Sequence, residues 1–135
     1  MTQLKGIDHV AITVADVDVT CAYYDRLFGA KVVRDHKPTG GRTAVRVINI
    51  GGGVQLSVHQ QGNGVELVAV KPTPGSADLC FGWGGTIDEA ASHLKGHDIV
   101  IVDGPSPRTT ADGRPSKSVY FKDPDGNLIE LMAAD

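Results

Sequence analysis

A chain of 135 residues, 41% hydrophobic and 21% charged, is long enough to bury one core without disulfide or metal staples. A net charge of −3 with no basic run leaves no footprint for nucleic acid or an anionic membrane, and no apolar run approaches the ~20 residues of a membrane span. The two cysteines, Cys21 and Cys80, are too few for a disulfide framework and read as small buried hydrophobes, so a reducing, cytoplasmic setting is expected.

Residues 1–14 alternate polar and apolar side chains and lack the apolar core of a signal peptide. Within them, residues 7–14 (IDHVAITV) are rich in β-branched side chains and predict a strand. Asp16 and Asp18 offer caps for a helix over 19–28, where Cys21, Tyr24, Leu27 and Phe28 fall at helical spacing and Gly29 closes the last turn. Strands follow at 31–36 and 42–50 (RTAVRVINI), and Gly51-Gly52-Gly53 turns the chain into a fourth at 54–59 (VQLSVH). Residues 60–77 carry Pro72, Pro74 and several glycines, and read as a crossing linker with one short strand at 65–70.

The pattern then restarts. A strand at 78–83 and a Gly84-Gly85 break precede a helix over 86–95, capped by Thr86 with Glu89 three residues on as a capping box. A strand is expected at 99–102, a polar, proline-broken loop at 104–115, and strands at 116–122 and 128–132. Between the last two, Asp123-Pro124-Asp125-Gly126-Asn127 makes a tight turn whose composition is structural.

Strand, helix, three strands is thus given twice. The expected fold is α+β: one domain, 1–135, of two tandem βαβββ modules at about 5–60 and 78–133, joined by a linker at about 61–77. The repeat sets His9-Val10-Ala11-Ile12 against Asp78-Leu79-Cys80-Phe81, and Val54-Gln55-Leu56 against Ile129-Glu130-Leu131.

Side chains alternate along a strand, so His9, Gln55, His59, Asp78 and Glu130 fall in a parity that can converge. Polar groups inside a sheet need partners, and a divalent ion with mixed nitrogen and oxygen ligands satisfies several at once. Each residue also has a plainer reading. His9 can be a satisfied histidine at a cleft wall, Glu130 an ion-pair partner of Arg46 or another basic residue, Asp78 a carboxylate bonded to backbone, and His59 an exposed strand end. His36, His93 and His97 read as surface residues; Arg108, Arg114 and Lys117 lie in or beside the second-module loop, where they can meet an anion or simply solvent. Cys80 shares the parity of Asp78 and can line the site, but no histidine is placed to activate it as a nucleophile.

Three segments carry a family resemblance: Ile7-Asp8-His9-Val10-Ala11-Ile12-Thr13-Val14-Ala15-Asp16, Ala22-Tyr23-Tyr24-Asp25-Arg26-Leu27-Phe28-Gly29, and Val119-Tyr120-Phe121-Lys122-Asp123-Pro124-Asp125-Gly126-Asn127-Leu128-Ile129-Glu130. Across essentially its whole length the chain resembles the vicinal-oxygen-chelate superfamily of glyoxalases, bleomycin-resistance proteins and extradiol dioxygenases. Within it, the segments LSVHQ (56–60), KPTPGSADLCF (71–81), Gly104-Pro105 and Pro107-Arg108-Thr109 are similar to the glyoxalase-domain-containing protein 5 and bacterial virulence-protein type.

That resemblance implies a curved sheet around a cleft, a homodimer, and metal ligands on the first and last strand of each module: His9, Gln55, Asp78 and Glu130, with His59 a competing ligand. The sequence departs from many metal-binding members in carrying Asp78 where they have histidine; aspartate still suits a hard divalent ion. The implied activity is that of a metal-dependent lyase or isomerase acting on a small vicinal-oxygen substrate. Zn, Ni, Co, Mn or Fe would be the Lewis acid and Glu130 the base, with Cys80, Arg108 and Tyr120 facing the substrate. A metal-free binder of a drug or natural product is the alternative, disfavoured by a thin supply of aromatic residues: Tyr23, Tyr24, Phe28, Phe81, Trp83, Tyr120 and Phe121. An extradiol dioxygenase, built on His9, His59 and Glu130, is a further alternative.

Overall fold

The computed structural model describes residues 3–38 and 40–134, so the reading of the extreme N-terminus falls partly outside it. The chain forms two compact units, Met1–Pro74 and Gly75–Asp135. None of the described helices is long and apolar enough to cross a membrane.

The first unit runs β1 (His9–Val14), α1 (Val17–Phe28), β2 (Lys31–His36), β3 (Val45–Gly51) and β4 (Val54–Gln60). Its four strands are ordered β1-β4-β3-β2, with β1 and β4 parallel and the other neighbours antiparallel. Helix α1 starts two residues before the expected position because Asp16 is the cap: its Oδ1 accepts from the backbone N–H groups of Asp18 and Val19 at 2.9 and 3.3 Å. Gly29, at φ 68°, ends the helix in the left-handed conformation that a side chain would oppose.

One face of the sheet supplies Ile12, Val14, Ile48, Leu56 and Val58 to a core completed by Cys21, Tyr24 and Leu27 of α1, all buried. Burial of a side chain the size of Leu27 or Leu56 contributes about 1.5–3 kcal/mol. Arg46 lies on this helix-side face, only 15% exposed, and its guanidinium reaches Asp18 at 2.7 Å and Asp35 at 3.1 Å. The Arg46 charge is thus used within its own unit, by Asp18 and Asp35. The β2–β3 register sets it directly opposite Asp35, which uses its charge locally.

The second unit runs β5 (Asp78–Gly82), α2 (Ile87–Gly96), β6 (Asp103–Thr109), β7 (Pro115–Lys122) and β8 (Leu128–Ala133). The order β5-β8-β7-β6 repeats that of the first unit, again with the first and last strand parallel. Thr86 Oγ1 accepts from the Glu89 N–H at 3.1 Å, as the capping signal implies. Ile87, Ala90 and Leu94 of α2 bury themselves with Val119, Phe121, Ile129 and Leu131.

Three expectations fail here. The strand expected at 99–102 is not regular structure: Ile99 N–H bonds back to Leu94 O at 3.0 Å and finishes the helix. The third strand lies instead at Asp103–Thr109, inside the expected loop. It is an edge strand, where Pro105 and Pro107 can sit because one side of the ladder needs no donors. Gly104 permits the pairing, since a Cβ there would stand 2.3 Å from Ser118 O. Residues 65–70 form no strand either; Val68 N–H bonds to Glu66 O at 3.0 Å and bends the segment, leaving Leu67 and Val70 exposed. Finally, Cys80 is exposed; only Cys21 is the buried hydrophobe expected of both.

The DPDGN turn is held from within. Asp123 Oδ1 accepts from the N–H groups of Asp125 and Asn127, each at 3.0 Å, and Asn127 Nδ2 donates to Asp123 Oδ2 at 2.9 Å. Asn127 Oδ1 also accepts from Ala77 N–H at 2.9 Å, which fixes the entry into β5 against the entry into β8.

Candidate functional site

In the first unit, His9, Ala11 and Thr13 face away from the core, beside Gln55, Ser57 and His59 of β4. His9 stands directly opposite Gln55. Its Nδ1 lies 2.8 Å from Asp8 Oδ1; with Nδ1 as donor, Nε2 keeps its lone pair for a metal or a proton. Gln55 Oε1, the only atom of that side chain able to ligate a cation, accepts from Arg34 Nη2 at 3.2 Å.

His59 shares the face but sits four residues further along β4, opposite Thr13. At about 3.3 Å per residue this is about 13 Å from Gln55, beyond the span of one metal shell. His59 lines a separate small pocket of about 130 Å³ with Thr13, Asn63, Val65, Val68 and Pro72. Asn63 Nδ2 donates to Ala44 O at 2.9 Å and lies 3.4 Å from His59 Nδ1, while its Oδ1 accepts from Val65 N–H at 2.9 Å. Desolvation in this pocket holds the His59 imidazole below its ordinary pKa.

In the second unit, Leu128, Glu130 and Met132 face away from the core. Glu130 stands opposite Cys80 on β5 and Tyr120 on β7. Asp78 is opposite Leu128, one pleat repeat short of Glu130. With Gln55 and Glu130 as equivalent points of the repeat, the pairing puts Cys80, not Asp78, in the place of His9. Although Cys80 is exposed as a residue, partial desolvation of its sulfur, followed by the neighbouring Glu130 carboxylate, pushes the thiol up to about 11, so at neutral pH it is a protonated, weakly reactive group.

Arg108 lies on β6 rather than in a loop, with its Nε donating to Tyr120 OH at 2.7 Å and its guanidinium 5.3 Å from the Tyr120 ring centre. That hydrogen bond, and more distantly the charges of Asp103 and Glu130, hold Arg108 above its ordinary pKa. Arg114, by contrast, pairs with Asp112 at 3.0 Å. Ser118, on the same strand face as Tyr120, has a buried hydroxyl without a hydrogen-bond partner among the described residues.

The arrangement therefore brings together His9 with Gln55, and Cys80 with Glu130, Tyr120 and Arg108. Among the described residues, no three His, Cys, Asp or Glu side chains form a metal-holding group. Sequence reasoning missed Asp8, Arg34, Asn63 and Ser118. The signal for Arg34 was hidden by an irregularity in the β2–β3 register between Val32 and Arg34, which breaks the simple alternation of faces.

A model of the Glyoxalase/Bleomycin resistance protein/Dioxygenase superfamily matches residues 6–131. The chain is 42% identical over 130 residues to the glyoxalase domain-containing protein RDO1 of Mycosarcoma maydis, covering 96% of this chain and 69% of that one. It is 40% identical over 128 residues to virulence protein STM3117 of Salmonella typhimurium, covering 95% and 83%. The crystal structure of STM3117 superposes with a TM-score of 0.86 at 35% identity, over 99% and 100% of the two chains. At lower identity, a lactoylglutathione lyase from Agrobacterium tumefaciens (TM-score 0.71, 22% identical, 98% and 96% covered) shares the fold.

Proposed function

Since the chain belongs to the glyoxalase/bleomycin resistance protein/dioxygenase superfamily, we propose that it is a glyoxalase-like, metal-dependent lyase or isomerase acting on a small substrate with two vicinal oxygens. The observation that carries this reading is the repeated placement of polar pairs. His9 opposite Gln55, and Cys80 opposite Glu130, occupy the parallel first and last strands of their modules, on the face away from the helix.

The donors we propose are His9 and Gln55 in the first unit and Asp78 and Glu130 in the second; an imidazole, an amide oxygen and two carboxylates are ligand types that suit a borderline or hard divalent ion such as Zn, Ni, Co, Mn or Fe. Such an ion, when bound, supplies Lewis acidity to the substrate oxygens. Glu130 accepts the proton from the adjacent C–H at its carboxylate oxygen. Asp8 keeps the His9 ring oriented. Tyr120, on the strand beside Glu130, and Arg108, on the edge strand beyond it, orient the oxygenated substrate, and the protonated Cys80 thiol forms part of the same wall. His59 stands outside this set because of its distance along β4, which also removes one of the two histidines an extradiol dioxygenase would need.

The experiment is the metal content of the purified protein beside Glu130→Gln and His9→Ala. Near-stoichiometric metal in the wild type, lost in both variants, is expected. Methylglyoxal hemithioacetal, acyl-CoA epimers and catechols are then the first substrates. A protein that takes up none of these ions on incubation would remove the mechanism.

One observation favours a second reading. Gln55 Oε1 is already engaged by Arg34, so the first unit offers a cationic, hydrogen-bonding surface suited to a metal-free ligand. TnmS3, an antibiotic-binding protein from Streptomyces, has the same fold (TM-score 0.74, 20% identical, 100% of both chains). Under this reading Arg34→Ala weakens ligand binding; under the enzyme reading it frees Gln55 and leaves metal uptake intact.

A further inference from the structure

The histidines that read as plain surface residues are ordered as a pair. His93 and His97 are four residues apart on α2, so they project from the same face one turn apart. Their ring centres are 4.7 Å apart, with the planes inclined at 60°. Both side chains are half-buried, and the His93 ring also lies 5.3 Å from the ring of Trp83. We propose that His93 and His97 form a two-imidazole site on α2 for a borderline divalent transition-metal ion, best filled by Cu²⁺, distinct from the donor set on the sheets.

The geometry argues for this directly. A metal–nitrogen bond of about 2.0–2.1 Å, added to the radius of the ring, places each ring centre about 3.2 Å from a shared ion. Two imidazoles bound cis, at about 90–110°, then have centres about 4.5–5.2 Å apart, and the observed pair falls inside that interval. The electrostatics agree. His97 caps the C-terminus of a 10-residue helix, the negative end of the helix dipole, which favours a cation. Asp98 follows immediately, and Lys95 is the cation nearest in sequence.

Glu89, one turn before His93, is not a third ligand. Its Oε2 is folded toward the Gly84-Gly85 turn, 2.5 Å from where a Cβ on Gly85 would stand, beside Trp83 Nε1. Water therefore completes the shell, which suits an ion that accepts two imidazoles and solvent. Imidazole donors and the order of divalent affinities both place Cu²⁺ first.

Trp83 is the only tryptophan in the chain and its ring lies 5.3 Å from that of His93, so its emission reports on this site. The full-length protein is titrated with CuCl₂ in a buffer that does not chelate the ion. A saturable quench of Trp83 is expected, whatever copper the sheet donors also take up. His93→Gln and His97→Gln should each raise the half-saturating Cu²⁺ concentration about tenfold or more. His9→Ala, His36→Gln and Cys80→Ser should leave the curve where it is. An unchanged curve in His97→Gln, or a quench lost in His9→Ala or Cys80→Ser, overturns the proposal. Electron paramagnetic resonance of the His9→Ala copper complex, whose sheet donors have lost their imidazole, gives a second reading: hyperfine coupling to two imidazole nitrogens supports the site, and one or none refutes it.

Discussion

Cys80 and His59 show how much a side chain's character depends on the strand position it occupies. Partial desolvation of the sulfur and the opposing Glu130 raise the Cys80 thiol from 9.0 to about 11, which lowers its thiolate fraction about 100-fold at a given pH near neutrality. Alkylation of Cys80 by iodoacetamide at pH 8 should therefore be slow, and Glu130→Gln should move the pH–rate profile to lower pH and speed it. His59 titrates in the opposite sense. Desolvation holds its imidazole below 6.5, so the unfolded chain binds that proton more readily than the folded one. Its contribution is unaffected above 6.5 and becomes destabilising as pH falls below that value. Thermal melts across this window should show a loss of stability on acidification that His59→Gln makes shallower.

At the scale of elements, the DPDGN turn is the test of how local chemistry holds two strands. Asn127 is 1% exposed, donates to Asp123 and accepts from Ala77, so Asn127→Ala strands buried partners on both sides. A loss of about 2–4 kcal/mol in urea-unfolding stability is expected. This turn was legible in the sequence because each of its residues has a short-range reason to be there. Both helices were legible too, from their caps and apolar spacing. The strand at Asp103–Thr109 was not: Pro105, Pro107 and Gly104 are turn signals unless an edge position excuses the prolines and a close neighbour demands the glycine. Only tertiary pairing with β7 supplies both conditions. The run at 65–70 failed in the converse way, with strand-forming residues and no neighbouring strand to pair with.

At the scale of the whole molecule, the doubled strand order was readable from element order alone, while the equivalence of His9 with Cys80 was not, because two residues of register cannot be seen without the pairing. The same limit applied to the candidate site. Parity put His9, Gln55 and His59 on one face of the first sheet, and Glu130 on the face of the second sheet away from its core, but said nothing of distance along either. Family membership leads to the expectation of a homodimer, and sedimentation equilibrium should return twice the chain mass of 14.2 kDa. A mass equal to one chain would remove that expectation without touching the fold.

The clamp on Asn63 bears on how the protein ages. An asparagine followed by glycine, as at Asn63-Gly64, is the dipeptide most prone to deamidation, through attack of the glycine nitrogen on the side-chain amide. Here both ends of that amide are tied, to Ala44 O and to Val65 N–H, so the attacking geometry is reached only when the loop opens. Should the amide hydrolyse, a carboxylate would stand 3.4 Å from His59 in place of a donor, and the ring that now resists protonation would acquire a reason to accept it. Old preparations of the protein would then differ from fresh ones in their response to mild acid, one charge at a time.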